Sequence, residues 1–448
     1  MYLTKVDITN FACFNHFEAE FAPGVNIVIG RNGSGKTSLI KGIKYVMNFI
    51  FTNDKSMGDK YLSAGNPDLL MSSIKSYEFF RNRADDSVEL ESNFHGEMLF
   101  EQEKLCWDMY KKSTPGAALY PSKYVNAYRR FMEISENSGR LPLLASFSDS
   151  FPHKMTNLSS FAKKEIDNAD GILQNFGYYQ WDSENACTTI WQLRLVSMMA
   201  KAISLDSPDS NVRREVEYVT NKLIEFSKPY NADCDDSFQI EKIFFSFKMG
   251  EKPELWLKLK SDQEVAFNNL PAGYMRLYSM VLDLAYRSYL LNRKGDLTTS
   301  KGLVLIDEID LHLHPSLELE VLQRFERSFP DMQIIATTHS PLVIAGIDQK
   351  NGRRQLLKLV MEGNKPEIIP DIYGIDYNSS LSDFMDTQAT DIDVDYLINS
   401  IHRAFRRKDG EAIVRKLEEL KATVSEYRYN RIVSELKHNY NFEDYALD

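Results

Sequence analysis

The sequence predicts an α/β fold whose core is split in two by a long insertion. Three observations carry that prediction. Near the start, a short apolar strand, "VNIVI", runs into the glycine-rich turn "GRNGSGKT" and then into a helical pattern. Far downstream, "LVLI" ends in the acidic run "DEID", and soon afterwards "QIIATTHS" repeats the form of an apolar strand with a polar end. The core is expected in residues 1–52 and 265–375, with an inserted lobe over 53–264 and a helical region over 376–448.

In chain order, "YLTKVDIT" and "HFEAEF" alternate as half-buried strands do, and "APG" turns the chain into "VNIVI". After the glycine-rich turn, Leu39, Ile40, Ile43, Val46, Met47 and Ile50 recur at helical spacing. The insertion is mixed. "SVELESNFHGEMLF" and "KLCWDMYKK" resemble paired strands, "YVNAYRRFMEIS" a helix and "RLPLLASFS" a buried strand. A helical block follows over about 155–228, interrupted by "LDSPDS", and then a hairpin of "FQIEKIFFSFKM" and "ELWLKLKS" around "GEKP". The third section returns to α/β: the helix "YMRLYSMVLDLAYRSYLLN", the strand "KGLVLIDEID", the helix "SLELEVLQRFERSFP" and the strand "MQIIATTHS". Beyond about 380 the pattern is helical, with no sustained heptads for a coiled-coil arm.

Composition narrows the function classes. At 448 residues, 43% apolar and 26% charged, the chain can bury a sizeable core and is expected to be folded nearly end to end. A net charge of −11 argues against a uniformly basic nucleic-acid coat and leaves room for a local basic groove. The four cysteines have no metal-ligand spacing, no apolar run approaches a membrane span, and the first residues alternate as a strand; a cytoplasmic protein without membrane contact is the expectation.

Gly30, Arg31, Asn32, Gly33, Ser34, Gly35, Lys36 and Thr37, followed by Ser38, fit the G-x-x-x-x-G-K-[ST] phosphate loop, placed after a strand and opening a helix. Glycines let backbone N–H groups approach phosphate oxygens, Lys36 reaches the β- and γ-phosphates, and Thr37 is expected to hold Mg²⁺. The strand "LVLI" delivers Asp307 to the Mg²⁺ shell, with Glu308 beside it to orient or deprotonate the attacking water. His339, at the end of "QIIATTHS", can donate a hydrogen bond to the γ-phosphate. Hydrolysis of a nucleoside triphosphate with Mg²⁺ is therefore expected, not binding alone.

The order "NFACF", "GRNGSGKTS", "LPAGYMRL", "LVLIDEIDLHLHP" and "IIATTHSP" resembles the ABC-type ATPases of the SMC and RecF kind, particularly the AAA_21 or OLD-like ATPases of bacterial defence systems. The resemblance implies an ABC-type P-loop ATPase head with a mixed central sheet, an inserted α+β and helical lobe, and a C-terminal helical region. It also implies that Leu270, Pro271, Ala272, Gly273 and Tyr274 form the signature motif, which lies against a nucleotide bound by the opposite subunit, and that Asp310 crosses that interface. A homo-oligomer with composite ATP sites follows. The chain departs from the family where Pro271 replaces the usual serine and Ala12 the usual arginine, and no glutamine marks the Q-loop, for which Ser148 or Asp149 is a substitute oxygen ligand. His312 and His314 have strand spacing for metal ligands but no third ligand nearby.

Three uses for the ATP differ in their sequence demands. A nuclease centre in the same chain needs a further α/β domain, which the helical end does not offer; "DIDVD" at 391–395 reads as a helix start. A defence ATPase with a separate effector fits better, as in Septu-type systems that pair a PtuA ATPase with the HNH nuclease PtuB, or in PARIS-type and retron-associated systems. A repair ATPase of the RecF kind needs a DNA-facing basic surface, for which Arg403, Arg406, Arg407 and Lys408 are the best candidates.

Overall fold

In the computed structural model, residues 1–51, 78–81, 91–112, 123–152, 160–169, 172–181, 188–204, 211–231, 236–246, 253–293, 297, 301–361, 363–371, 384 and 392–440 are described. They form two compact units, Met1–Ile375 and Asp376–Asp448. The expected breaks at "LDSPDS" and at most of "GEKP" lie outside the described residues.

The first unit is built around a six-stranded sheet. β3 (Val25–Gly30) lies between β12 (Arg354–Leu359) and β11 (Met332–Thr337), and beyond β11 follow β10 (Gly302–Ile306) and β6 (Leu143–Phe147). These five strands are parallel, and the edge strand β13 (Glu367–Ile369) joins β12 antiparallel, so the sheet is mixed. β10 and β11 are buried along their whole length, and β3 up to its last residue. Continuous apolar runs such as "LVLI" are what a parallel strand covered on both faces requires.

A second, antiparallel sheet has the order β2 (Phe14–Glu20), β1 (Tyr2–Phe11), β4 (Glu91–Phe100), β5 (Glu103–Lys112). Its inner face packs on α1 (Lys36–Met47): Trp107 donates to the carbonyl of Val46 at 2.7 Å, and its ring stacks on Phe49 at 4.0 Å between centroids. A Cβ on Gly96 would reach Trp107 and Val46 at 2.5 Å, so glycine there sets how closely sheet and helix approach. The span expected as a separate inserted lobe thus supplies β4 and β5 to this sheet and β6 to the central one. Pairing with β1 gives β4 a partner on both sides, and pairing with β10 gives β6 one, which makes of β4 and β5 more than an isolated hairpin in water.

Among the described residues the span also has α2 (Val125–Ser138), α3 (Ser160–Asp167), α4 (Thr188–Ser204) and α5 (Asn211–Ser227), followed by the small sheet of β7 (Ile240–Ser246), β8 (Glu254–Leu259) and β9 (Glu264–Ala266). α5 packs on α6 (Ala272–Asn292), which is buried from Arg276 to Asn292 without a polar face. Two of its interior charges pair with each other: Arg287 donates to Asp283 at 2.5 Å, and Trp191 donates to the same carboxylate at 2.7 Å. "SLELEVLQRFERSFP", expected as one helix, is two: α7 (Pro315–Glu318) and α8 (Val321–Ser328). The first turn closes on its own caps, with the His314 side chain accepting from the Ser316 N–H before Pro315 can extend the pattern backwards.

The second unit has α9 (Ile392–Arg407), α10 (Gly410–Thr423) and α11 (Glu426–Asn439) around Leu397, Ile401, Phe405, Ile413, Leu417, Leu420 and Leu436. Asp391 and the side chains of Asp393 and Asp395 lie outside the described residues. Among the described residues no helix is long and apolar enough to cross a membrane.

Candidate functional site

The strand order decides where the polar strand ends meet. β11 separates β3 from β10, so the glycine-rich loop after β3, the acidic run after β10 and "TTHS" after β11 all emerge at the carboxyl edge of one parallel sheet. In open parallel sheets that edge is where ligands bind.

The loop is shaped by its own backbone. Gly33 has φ +83° and Gly35, the N-cap of α1, φ +99°, both in the region that favours glycine. Space decides further at Gly35, where a Cβ would lie 2.6 Å from Cys13 Sγ and 2.7 Å from the Phe14 ring; at Gly33 nothing lies within 4 Å. Arg31, Asn32 and Gly33 are exposed, as is Thr37, while Ser38 is half-buried. Lys36 is 8% exposed and folds back, its ammonium donating to the carbonyls of Gly30 at 2.9 Å and Arg31 at 3.2 Å. Burial holds Lys36 below the ordinary lysine range, and the facing carboxylates Asp307, Glu308 and Asp310 oppose that shift. The Ser34 hydroxyl is buried without a partner among the described residues.

The acidic run is held by other segments. Asp307 is buried, and Thr337 donates to its Oδ1 at 2.6 Å; the same hydroxyl accepts from the Glu308 N–H at 2.8 Å. Glu308 itself has φ +53°, unusual for a side chain of its size. Asp310 accepts from Thr338 Oγ1 at 2.5 Å and from the His339 N–H at 3.3 Å, so in this chain its carboxylate is tied to the neighbouring strand end. His339 is half-buried beside it.

Beneath the acidic run lies Arg276, one turn into α6 and fully buried. Its guanidinium donates to the carbonyls of Asp307 at 2.8 Å and Glu308 at 3.1 Å, and to those of Ser148, Asp149 and Phe151 at 3.1, 3.0 and 2.7 Å. Burial pulls its pKa down to about 10, against the pull of Asp149, Glu308, Asp307 and Asp310. The backbone carbonyls of Ser148 and Asp149, of which one or the other was expected to supply a substitute oxygen ligand, are held by Arg276; the Asp149 carboxylate accepts from the Ser150 N–H at 2.7 Å.

The signature segment divides. Pro271 and Ala272 are exposed at the N-terminus of α6, but Leu270 is buried and Gly273 is pressed against the His312 carbonyl, 2.5 Å from where a Cβ would be. Tyr274, expected to face a nucleotide across an interface, turns inward and donates to Asp236 at 2.7 Å, an aspartate also bound by Arg324 at 2.9 Å. Burial and that carboxylate raise the Tyr274 pKa. His312 sits in a turn at φ +64°, not on a strand, and among the described residues no group of three His, Cys, Asp or Glu side chains could hold a metal ion.

Beside the phosphate loop opens a cavity of about 660 Å³, lined among others by Gly33, Ser34, Phe14, Arg81 and Met361. Arg81 reaches it because residues 78–81 lie along the end of β1, with a bridge between Phe11 and Phe79 and the Ala12 N–H donating to the Glu78 carbonyl at 2.7 Å. A cation therefore lines this cavity although Ala12 carries none.

A family model described as AAA_15, AAA ATPase domain, matches residues 1–344. The chain belongs to that family. Among curated relatives of this ATPase-family chain, "Retron Vc95 probable ATPase" of Vibrio cholerae serotype O1 biovar El Tor is 25% identical over 72% of this chain and 66% of its own length. "Septu protein PtuA" of Bacillus thuringiensis is 31% identical over 36% of this chain and 46% of its own length. The chain thus spans less than two thirds of these relatives. An SMC head solved in complex with the C-winged-helix domain of ScpA covers 83% of the family member and 98% of its own chain, at 12% identity and a TM-score of 0.47.

Arg276, Thr337, Thr338 and Arg81 are the residues that sequence reasoning missed. The threonines were visible as hydroxyls in "TTHS", and Arg276 as a charge inside an apolar helix; Arg81 has no local signal.

Proposed function

We propose that this chain binds ATP with Mg²⁺ and hydrolyses it as the ATPase subunit of a bacterial anti-phage defence complex, and that its nucleotide state controls a separate effector nuclease of the HNH, PtuB-like kind. The observation that carries the hydrolytic reading is the shared strand edge, where Lys36 faces Asp307, Glu308 and Asp310.

The residues present suit the nucleotide. The loop offers exposed residues at a helix N-terminus, the Ser34 hydroxyl, which has no partner among the described residues, and the ammonium of Lys36, and the adjoining cavity has room and a cation for the base and ribose end. Thr37 and Asp307 are hard oxygen donors of the kind Mg²⁺ takes, and a phosphate-bound Mg²⁺ needs only one or two carboxylates from protein. When bound, Mg²⁺ supplies charge neutralisation at the β- and γ-phosphates. Lys36 holds phosphate charge, Glu308 orients and accepts a proton from the attacking water, and His339 donates to the γ-phosphate. Pro271, Ala272 and the N-terminus of α6 face the nucleotide of a second copy, so the closed state is a homo-oligomer.

Glu308→Gln keeps the shape and removes the base; ATP stays bound and turnover falls about a hundredfold or more. Lys36→Ala weakens nucleotide binding itself. Undiminished turnover in both variants rules the assignment out.

The defence setting rests on the relatives' names, and a second reading within it, a retron-associated ATPase, is favoured by the longer alignment to the retron relative, 72% of the chain against 36%. Co-expression with neighbouring genes and purification of the complex separates them: an HNH partner supports the Septu-like form, a reverse transcriptase the retron form. Arg403, Arg406, Arg407 and Lys408 are exposed in the second unit, and their charge reversal tests direct nucleic-acid contact.

A further inference from the structure

We infer that Thr337 is a positioning residue for hydrolysis, setting the Asp307 carboxylate and the Glu308 backbone at once through a single hydroxyl. The inference rests on the proposed ATP hydrolysis at this strand edge and gives a role to a residue that the motif "TTHS" contains without assigning it one.

A threonine hydroxyl has one proton and two lone pairs. Here the proton goes to Asp307 Oδ1 at 2.6 Å and a lone pair takes the Glu308 N–H at 2.8 Å, while the Thr337 carbonyl accepts from the Ile309 N–H at 3.0 Å. The last residue of β11 thus grips three consecutive residues after β10. The side chain is fully buried, so water does not take over these bonds.

Two consequences follow. Donation to Oδ1 fixes the rotamer of Asp307 and leaves Oδ2, which has no hydrogen bond among the described residues, as its oxygen for a cation. Acceptance from the Glu308 N–H supports a backbone at φ +53°, a conformation that costs about 1–3 kcal/mol in a non-glycine residue and persists only where neighbours hold it. Release of that turn moves the carboxylate that faces the attacking water. A hydroxyl on the strand between the two motif-bearing strands therefore links metal ligation to base placement, as outer contacts do around other metal sites.

Valine has the same shape as threonine and lacks the hydroxyl; serine keeps the hydroxyl and loses a methyl. In the full-length chain, Thr337→Val is expected to lower kcat about ten- to hundredfold, with the KM for ATP little changed. Its half-saturating Mg²⁺ concentration rises about tenfold, both in turnover and in Mg²⁺-dependent binding of a non-hydrolysable ATP analogue, which reads the metal without turnover. Thr337→Ser is expected to stay close to wild type in both. Thr337→Ala replaces the valine variant if that one fails to fold. Wild-type turnover and Mg²⁺ dependence in the hydroxyl-free variant overturn the inference, and so does an equal loss in the serine and hydroxyl-free variants, which would mean that bulk matters and the hydroxyl does not. Glu308→Gln runs alongside: if it turns over like wild type, the hydrolytic reading fails, whatever the Thr337 variants do.

Discussion

The phosphate loop and the Asp307–Asp310 run stand on either side of β11, yet they are held in opposite ways. The loop takes its shape from its own glycines and leaves Arg31, Asn32 and Gly33 exposed. The acidic run is gripped from outside, by Thr337 and Thr338 on β11 and by Arg276 on α6. Under the proposed hydrolysis, a loop that wraps a ligand can wait for it, whereas groups that act on a water molecule must be set before the substrate arrives. The difference is one of backbone against side-chain control.

The comparison breaks most visibly at Arg276. Arg276→Met keeps much of the buried volume and removes every donor to the carbonyls of Asp307, Glu308, Ser148, Asp149 and Phe151. Leaving such carbonyls buried without partners costs at least about 3 kcal/mol in stability. Denaturant melts are expected to show that loss. In the fraction still folded, turnover falls more steeply than nucleotide affinity, since the loop across β11 has no contact with the arginine's donors. Affinity falling in step with turnover would mean that the two regions are not held independently.

That contrast also explains what was legible in the sequence. The α/β class, the phosphate loop and the strand ends at Asp307 and His339 were readable because each is a local pattern, an apolar run followed by residues whose backbone or charge does the rest. The paired strands β4 and β5 were readable as a hairpin, but their place beside β1 was not, because alternation fixes a strand and not its neighbour. The partners of Tyr274 were not readable for a similar reason: Asp236, which accepts its hydroxyl, and Arg324, which binds the same aspartate, are distant in sequence. Thr337 and Arg276 act through bonds across 30 and 31 residues of chain, and no spacing rule announces them.

The smaller test lies inside the phosphate loop and asks how far its shape is backbone alone. Gly33→Ala places a Cβ in open space at φ +83°, so only conformational strain of about 1 kcal/mol is expected, with a modest rise in the KM for ATP. Gly35→Ala adds, to similar strain at φ +99°, a Cβ 2.6 Å from Cys13 Sγ and 2.7 Å from the Phe14 ring. Phe14 is 5% exposed and stacked on Phe17 at 4.5 Å, so it cannot yield cheaply, and α1 must shift at its first residue. Since Lys36 is that residue, Gly35→Ala is expected to weaken nucleotide binding well beyond Gly33→Ala, as nucleotide titration of the two variants will read. Equal losses would show that the β1–β2 turn gives way, and that the loop owes its shape to the glycines without help from the sheet behind it.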